Sequence, residues 1–425
     1  MKHMPMKHTP MKPLHRHLIM LALLSAATAS AQEKVNLRFT TWAGGDGLKL
    51  LQTLATEFGK KNPNINVEVE SIPFASYDQK LTVQMAGGTS PDAGWVAERS
   101  APAYMASKSL LDLSGYVKAN SNMLISDYAP ASMTLWKQGN GIYGLPFSFS
   151  PVFMYYNKDL FQKAGIPTPS ELLAQKKWNY AAFEASAAAI KKASPNAYGG
   201  TLLRLDPSNW AAGILAAMYS SGGDIFNKDL STCQMNSAGT VQAFEMMQRM
   251  IKDGSAPKLG EQVTFASGNL GMYADQVSYS GQLSTVKFKW DIVPMPSGPK
   301  GQHTLLGQAG YAVFSGSKHP KEATQFVAFL SSAAIMKRTA QFFPPPRRSI
   351  LSSDTYLNSN PLIPAASLRA AVIKQVSGAR ALIVPANWAQ VNDVVVRNME
   401  RIFRPSANVK DELNQVCSEI NPLLK

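Results

Sequence analysis

The sequence predicts an α/β protein of two domains, and three observations carry that reading. At 425 residues the chain exceeds one ordinary hydrophobic core. Strand, helix and strand signals follow one another over 35–69, a βαβ unit that requires a parallel sheet. The same alternation returns after residue 167, beyond an irregular aromatic stretch. With 45% hydrophobic and 16% charged residues, the composition is that of a globular chain.

The N-terminus stands outside this fold. Lys2, Lys7, Lys12 and Arg16 precede an apolar run over 18–27, followed by Ala29-Ser30-Ala31. A basic region, a short apolar core and an A-x-A site form an export signal over 1–31, with Gln32 as the mature start. The apolar run is too short to span a bilayer. No cysteine stands at the cleavage site, so a free periplasmic protein is expected and a lipid-anchored one is not. Without the leader, formal charge falls from +14 to +10 and four of six histidines are lost. Only His303 and His319 remain for a zinc site or a Ser-His triad, each in a loop-like stretch. A basic mature chain favours an acidic ligand, but its charges are spread without runs, which argues against a nucleic-acid partner. Cys233 and Cys417 are disulfide candidates in an oxidising compartment, with two buried free thiols as the alternative.

In chain order, Val35, Leu37 and Phe39 alternate with polar residues as a strand does. Leu48, Leu51, Leu54, Ala55 and Phe58 then repeat at helical spacing until Gly59 and Pro63 stop them. Ile65, Val67 and Val69 alternate again. Ser76 and Gln79 read as a capping box for a helix closed by Gly87-Gly88. The stretch 91–96 is a third strand, and a helix starts at Ala101. At 143–167 a Gly-Leu-Pro turn feeds Phe147 and Phe149, then an apolar strand ending at Tyr155-Tyr156. Asn157-Lys158-Asp159 caps a helical turn that stops at Gly165 and Pro167.

The second half follows the same pattern. Asn179 caps a helix with Phe183, Ala187 and Ile190; Trp210 opens an Ala-rich helix; Val241, Phe244, Met247 and Ile251 mark a third. Strands at 291–293 and 312–314 follow, and Pro320 takes the first position of another helix. Pro344-Pro345-Pro346 is a stiff, extended break. The tail over 391–424 is two helices parted by Pro405. Met85, Met218, Met247 and Met250 fall at helical spacing and are expected in the core.

No Walker A loop, G-x-S-x-G elbow, H-E-x-x-H pair or EF-hand loop occurs, so the sequence offers no positive support for catalysis, a metal or a cofactor. What stands out is aromatics at predicted strand ends: Trp42, Trp95, Phe147, Phe149, Tyr279 and Tyr311, with Trp210 and Trp388 at helix starts. Ligands of open α/β sheets bind beyond the carboxyl ends of strands. Aromatic faces beside carboxylates and amides suit sugars, whose C–H faces stack while their hydroxyls hydrogen-bond. Asp46, Glu98, Asp275, Gln308 and Asn387 are the polar neighbours. Taken singly, each aromatic is better explained by core or interface packing, and it is the set that points to a cleft.

Several blocks in fixed order resemble bacterial extracellular solute-binding proteins of the carbohydrate-transport family, the maltodextrin-binding-protein-like receptors of ABC importers. They are the helix, Gly-Gly and Pro-Asp strand of 81–98; the Tyr-Gly-Leu-Pro … Tyr-Tyr-Asn-Lys-Asp-Leu-Phe … Ala-Gly-Ile-Pro of 143–167; and the Gly-Gly … Asn-Ser … Asp-Gly of 222–254. The Pro-x-Pro and Ser-Lys-His-Pro blocks of 290–330 and Pro346-Arg347-Arg348-Ser349 complete the set. Together they cover nearly all of 35–423.

The resemblance implies a type II periplasmic-binding-protein fold: two discontinuous α/β lobes joined by about three hinge segments. By position, the N-terminal lobe is 32–147 plus 312–346 and the C-terminal lobe 152–305 plus 347–425. The hinges lie near 147–152, 305–311 and 344–348. It further implies a monomeric receptor that closes on a sugar and is recognised by the permease subunits. In such a receptor the aromatics at strand ends and helix starts, Trp42, Trp95, Trp210 and Trp388, are expected as stacking faces, with Phe149 and Tyr311 beside them. Asp46, Glu98, Asp275 and Gln308 are hydroxyl partners, Gly307 and Gly310 allow close backbone approach, and Arg347 binds ligand or braces a hinge. Two departures stand out. Ala274-Asp275-Gln276-Val277 replaces the family's Gly-x-Trp, leaving Tyr279 as the nearest aromatic. The family's Lys-Thr-Trp-Asp-Glu-Phe helix entry is here Lys177-Trp178-Asn179-Tyr180-Ala181-Ala182-Phe183, so Trp178 reads as packing.

Three alternatives remain open. An anionic ligand such as a uronic-acid oligosaccharide, glycerophosphodiester or sugar phosphate would use Arg99, Arg204 and Arg347 as clamps. A secreted glycoside-acting enzyme would need two placed carboxylates. A ferric binder is poorly served by Tyr155-Tyr156, which point to opposite faces of a strand.

Overall fold

The computed structural model describes residues 34–203, 210–376 and 378–425, together with Met1 and His3. Apart from Met1 and His3 the export signal lies outside them, as do Gln32 and Arg204. The first lobe opens with β1 (Val35–Thr41), α1 (Gly45–Lys61) and β2 (Ile65–Ser71). β1 and β2 run parallel, with Val35 opposite Ile65 and Thr41 opposite Ser71. α1 buries Leu51, Leu54, Ala55 and Phe58, the positions whose spacing marks it as amphipathic. Then come α2 (Phe74–Ala86) and β3 (Ala93–Ala97), which lies parallel to β1 on its other side. The helix expected to be capped at Ser76 starts earlier. Pro73, at φ −53°, takes the capping position, and the Ser76 hydroxyl donates to Pro73 O from inside the first turn.

The chain then crosses the molecule. β4 (Leu145–Pro151) belongs to the first lobe's sheet, and after Val152 the chain enters β5 (Phe153–Asn157), the central strand of a second sheet. Val152, Met154 and Tyr156 sit in one apolar core, Phe153 and Tyr155 in another, as the two-residue period of a strand requires. α3 (Tyr180–Ala193), α4 (Ala211–Ser220) and α5 (Ala238–Lys252) pack in the first of these cores. α4 is buried on every side. β6 (Met272–Asp275) and β7 (Trp290–Val293) flank β5, both antiparallel to it.

β8 (Leu305–Val313) is the second crossing and is buried throughout. Its far half pairs with β3 of the first lobe, Ala309 opposite Ala97 through Val313 opposite Ala93. It is longer than the 312–314 read from the sequence, because Gly307 and Gly310 dilute the strand signal there. α6 (Pro320–Leu330) returns over the first sheet, with Phe326 edge-on to Phe39 and Phe58. β9 (Arg380–Ala381) pairs with the first residues of β8. α7 (Trp388–Ile402) and α8 (Val409–Ile420) close the second lobe, and a Cys233–Cys417 disulfide with Cα atoms 5.3 Å apart ties α8 to the loop before α5.

The three crossing segments hydrogen-bond to one another: Val152 N–H to Leu305 O at 2.8 Å, and Phe149 N–H to Pro344 O at 3.0 Å. Each lobe is therefore assembled from separate stretches of chain. Met218, Met247 and Met250 are buried as expected, whereas Met85 is only partly covered at the core's edge.

Candidate ligand-binding cleft

A cavity of about 520 Å³ opens between the lobes beside the crossing strands, in the size range of small-ligand sites. The first lobe supplies the loop after β1. It carries Trp42 and turns into α1 at Gly45, whose φ of +53° suits a residue without a side chain. Trp42 stands edge-on to Trp95 and Tyr77, each at 4.9 Å, and to Phe74 at 5.4 Å. Trp95 in turn meets Phe147 at 4.6 Å and Phe343 at 5.3 Å, and Phe147 stacks on Tyr311 at 4.4 Å. In this cluster Trp95 is 0% exposed while Trp42 is half-buried, so Trp42 carries the accessible face and Trp95 supports it.

The second lobe contributes Trp388 at the start of α7, Asn392 one turn later, and Tyr279 after β6. Burial pushes the Tyr279 hydroxyl up to about 12, with the Asp275 carboxylate adding to the effect, so it stays protonated at neutral pH. Asp275 accepts from Gln276 N–H at 2.7 Å. Gln276 Nε2 reaches the first crossing and donates to Ser150 O at 3.2 Å. Glu98 and Gln308 are held together twice: Glu98 N–H donates to Gln308 O at 3.2 Å, and Gln308 N–H to Glu98 Oε2 at 3.3 Å. Asp46 lies at the exposed edge, paired with Lys49 at 3.0 Å.

The structure thus brings Trp42, Asp46, Trp95, Glu98, Asp275, Gly307, Gln308 and Trp388 to one cavity. Four expected residues are elsewhere. Phe149 is buried on β4, outside the cavity lining. Tyr311 lies beneath Phe147, which covers its ring. Trp210 is 2% exposed, its ring against Phe244 and its Nε1 donating to Asn392 Oδ1 at 3.0 Å. Arg347 is 1% exposed and donates to the carbonyls of Met123, Leu124 and Ser331, with its guanidinium 4.3 Å over Tyr128. It braces the third crossing against the first lobe.

The glycines also serve differently from expectation. Gln276 fills the space over Gly307, and the Trp136 ring lies 2.8 Å from where a Cβ on Gly310 would stand. Asn387 donates to Leu423 O, tying the start of α7 to the chain end. Of the anion clamps, Arg99 lines the cavity but is paired with Asp78 at 2.8 Å and lies over Phe74. Arg347 is buried, and Arg204 is outside the described residues. Sequence reading missed Phe74, Phe343, Gln276 and Asn392. Phe343 alone had a signal, standing just before the Pro344-Pro345-Pro346 break. Among the described residues there is no metal-competent group of three or more His, Cys, Asp or Glu, and no helix is long and apolar enough to cross a membrane.

A binding protein of Brucella abortus (strain 2308) is 26% identical over 422 residues, covering 95% of this chain and 97% of that one. The sn-glycerol-3-phosphate-binding periplasmic protein UgpB of Escherichia coli (strain K12) is 26% identical over 354 residues, 78% of each chain. The solved structure of the ABC substrate-binding protein Lmo0181 from Listeria monocytogenes, in complex with cycloalternan, shares the fold. It matches with a TM-score of 0.79 over 92% of this chain and 99% of that one, at 24% identity. The family model for bacterial extracellular solute-binding proteins matches residues 44–337. That match spans more than half of the chain, which belongs to this family.

Proposed function

We propose that the protein is the substrate-binding receptor of an ABC importer and that its cleft takes a neutral sugar or short oligosaccharide. The observation that carries this reading is the lining. Aromatic rings line the cavity from both lobes, Trp42 from the first and the largely buried Trp388 and Tyr279 from the second, together with the carboxylates Glu98 and Asp275. Rings cover the apolar faces of a pyranose, and carboxylates accept from its hydroxyls. Because the ligand touches both lobes only when they approach, its binding free energy favours the closed form, which is the form a permease would recognise. On this reading the chain acts without catalysis, as a monomer, after export and removal of residues 1–31. The lobes divide as 32–147 plus 312–346 and 152–305 plus 347–425.

An anionic ligand is the second reading. It is favoured by the similarity to a protein named for binding sn-glycerol 3-phosphate and by the formal charge of +10 after the leader. The lining weighs against it, since three carboxylates (Asp46, Glu98, Asp275) face one arginine already paired with Asp78. A thermal-shift and calorimetric panel separates the two. Maltose, maltotriose and other neutral saccharides are set against sn-glycerol 3-phosphate and glucuronides, at low and high salt. A melting-temperature rise with neutral sugars, insensitive to salt, is expected. Binding only of the anions, weakened by salt, would replace the sugar reading, and turnover of any saccharide would replace the receptor reading.

A further inference from the structure

The stretch Ala274-Asp275-Gln276-Val277, where this chain departs from its family's pattern, brings a glutamine to the lining of the cleft. Three of the four polar groups of Gln276 are taken. Its N–H donates to Asp275 Oδ1 at 2.7 Å, and its carbonyl accepts from the Tyr155 hydroxyl at 2.8 Å and from Tyr279 N–H at 3.2 Å. Its Nε2 donates to Ser150 O at 3.2 Å. A backbone carbonyl only accepts, so it can engage only the NH2 end of a side-chain amide. Ser150 O therefore decides which end is turned to the first crossing, and Oε1 is the end left over. Oε1 has no partner among the described residues and is not enclosed, so it stands open to the cavity that Gln276 lines. The amide lies over Gly307, where a Cβ would come within 1.6 Å of Nε2. The absent side chain is what lets a long residue at the end of β6 reach the crossing strands.

We infer that Gln276 Oε1 accepts a hydrogen bond from a ligand hydroxyl at the floor of the cleft, and that Ser150 O is the group that orients the amide for it. The inference rests on the sugar-receptor reading above and deepens it. An amide oxygen needs a proton donor, which a hydroxyl supplies and an ionised phosphate or carboxylate does not. At this position the cleft selects a neutral ligand.

The test crosses a protein variant with a set of ligand variants and is read by calorimetry. Wild-type protein is titrated with maltose, maltotriose, cellobiose and lactose, and the tightest of the four becomes the probe, together with its monodeoxy analogues. Gln276→Met keeps a side chain of similar length over Gly307 but removes both ends of the amide. It is expected to weaken binding of the probe about tenfold, the size of one lost hydrogen bond. For one monodeoxy analogue, and for that one alone, wild-type protein should show the same loss and Gln276→Met should add nothing to it. A glutamine that only braces the fold would weaken every analogue by the same factor. Gln276→Ala, which asks nothing of the packing over Gly307, is expected to give the same pattern and replaces Gln276→Met if that variant does not fold. Wild-type affinity in the Gln276 variant, or a loss that multiplies with every deoxygenation, overturns the inference and leaves the sugar-receptor reading standing. If wild-type protein binds none of the four sugars, the sugar-receptor reading itself fails and this inference falls with it.

Discussion

Gly307 and Gln276 interlock at the floor of the cleft: a Cβ on Gly307 would lie 1.6 Å from Gln276 Nε2. Gln276 uses that space to donate to Ser150 O, so one side chain at the end of β6 spans both crossing strands. Gly307→Ala is therefore expected to cost about 1–3 kcal/mol of stability, the range of an overpacked site. It should also weaken ligand binding, because Gln276 lines the cavity. Adding Gln276→Ala should restore most of the stability. Thermal denaturation checks both, and a Gly307→Ala protein as stable as wild type would mean that Gln276 swings aside freely.

Trp42 and Trp95 touch edge to face, yet their substitutions should separate function from folding. Trp42→Ala removes the accessible ring, and a loss of about tenfold in sugar affinity is expected, near the 0.5–1.5 kcal/mol of an aromatic contact. Its stability should fall only modestly. Trp95→Ala empties a fully buried site and is expected to cost about 3–5 kcal/mol. Calorimetry and chemical denaturation on the two variants would show the opposite ranking if Trp95 were the stacking face.

The Cys233–Cys417 bridge closes a loop of 184 residues. Chain-entropy reasoning for so long a loop gives about 5 kcal/mol, and observed values run at about 2–5. Reduction should therefore lower the melting temperature by several degrees while the lobes still fold around their own cores. Thiol titration in denaturant without reductant should find no free thiols, and two free thiols would remove the bridge from the account.

Arg347 holds three backbone carbonyls with one planar fork. Lysine cannot match that geometry, so Arg347→Lys is expected to lose about 2–3 kcal/mol of stability. The variant's sugar affinity at a temperature where it is folded should be unchanged. A selective loss of affinity would return Arg347 to the ligand.

Asp127 gives the hinge region a pH dependence. Burial opposes its ionisation, but hydrogen bonds from Ser349 and the neighbouring Arg347 charge outweigh burial and hold its carboxyl below the usual range. The native value is depressed, so the contribution is present above the unfolded-state value near 4 and is lost as pH falls through the lower native value. Urea unfolding between pH 7 and 3 should show stability dropping in that window, and Asp127→Asn should flatten part of the slope. An unchanged slope would assign the acid sensitivity to other carboxylates, such as Glu70, which the hydrogen bond from Lys80 holds low.

Much of the fold was legible in the chain because the signals are local. The alternation at Val35, Leu37 and Phe39, the helical spacing from Leu48 to Phe58 and the cap at Asn179 need no distant contact to be read. Cleft residues at or just after strand ends, such as Trp42, Glu98 and Asp275, could be placed by the same local logic. Asn392 and Gln276 could not. Each is an ordinary amide whose role depends on a partner far along the chain, Trp210 for one and Ser150 O for the other.

By itself the sequence determined the α/β alternation, the family and the set of aromatics from which a cleft is built. Only the tertiary structure decided how those aromatics divide between surface and support. Trp42 keeps an accessible face, Trp95 and Tyr311 lie beneath other rings, and Trp210 turns its indole N–H to Asn392. The physical reason is that accessibility belongs to the packed assembly: identical rings at similar local positions become walls or core according to what the returning strand β8 and the segment through Phe343 lay over them.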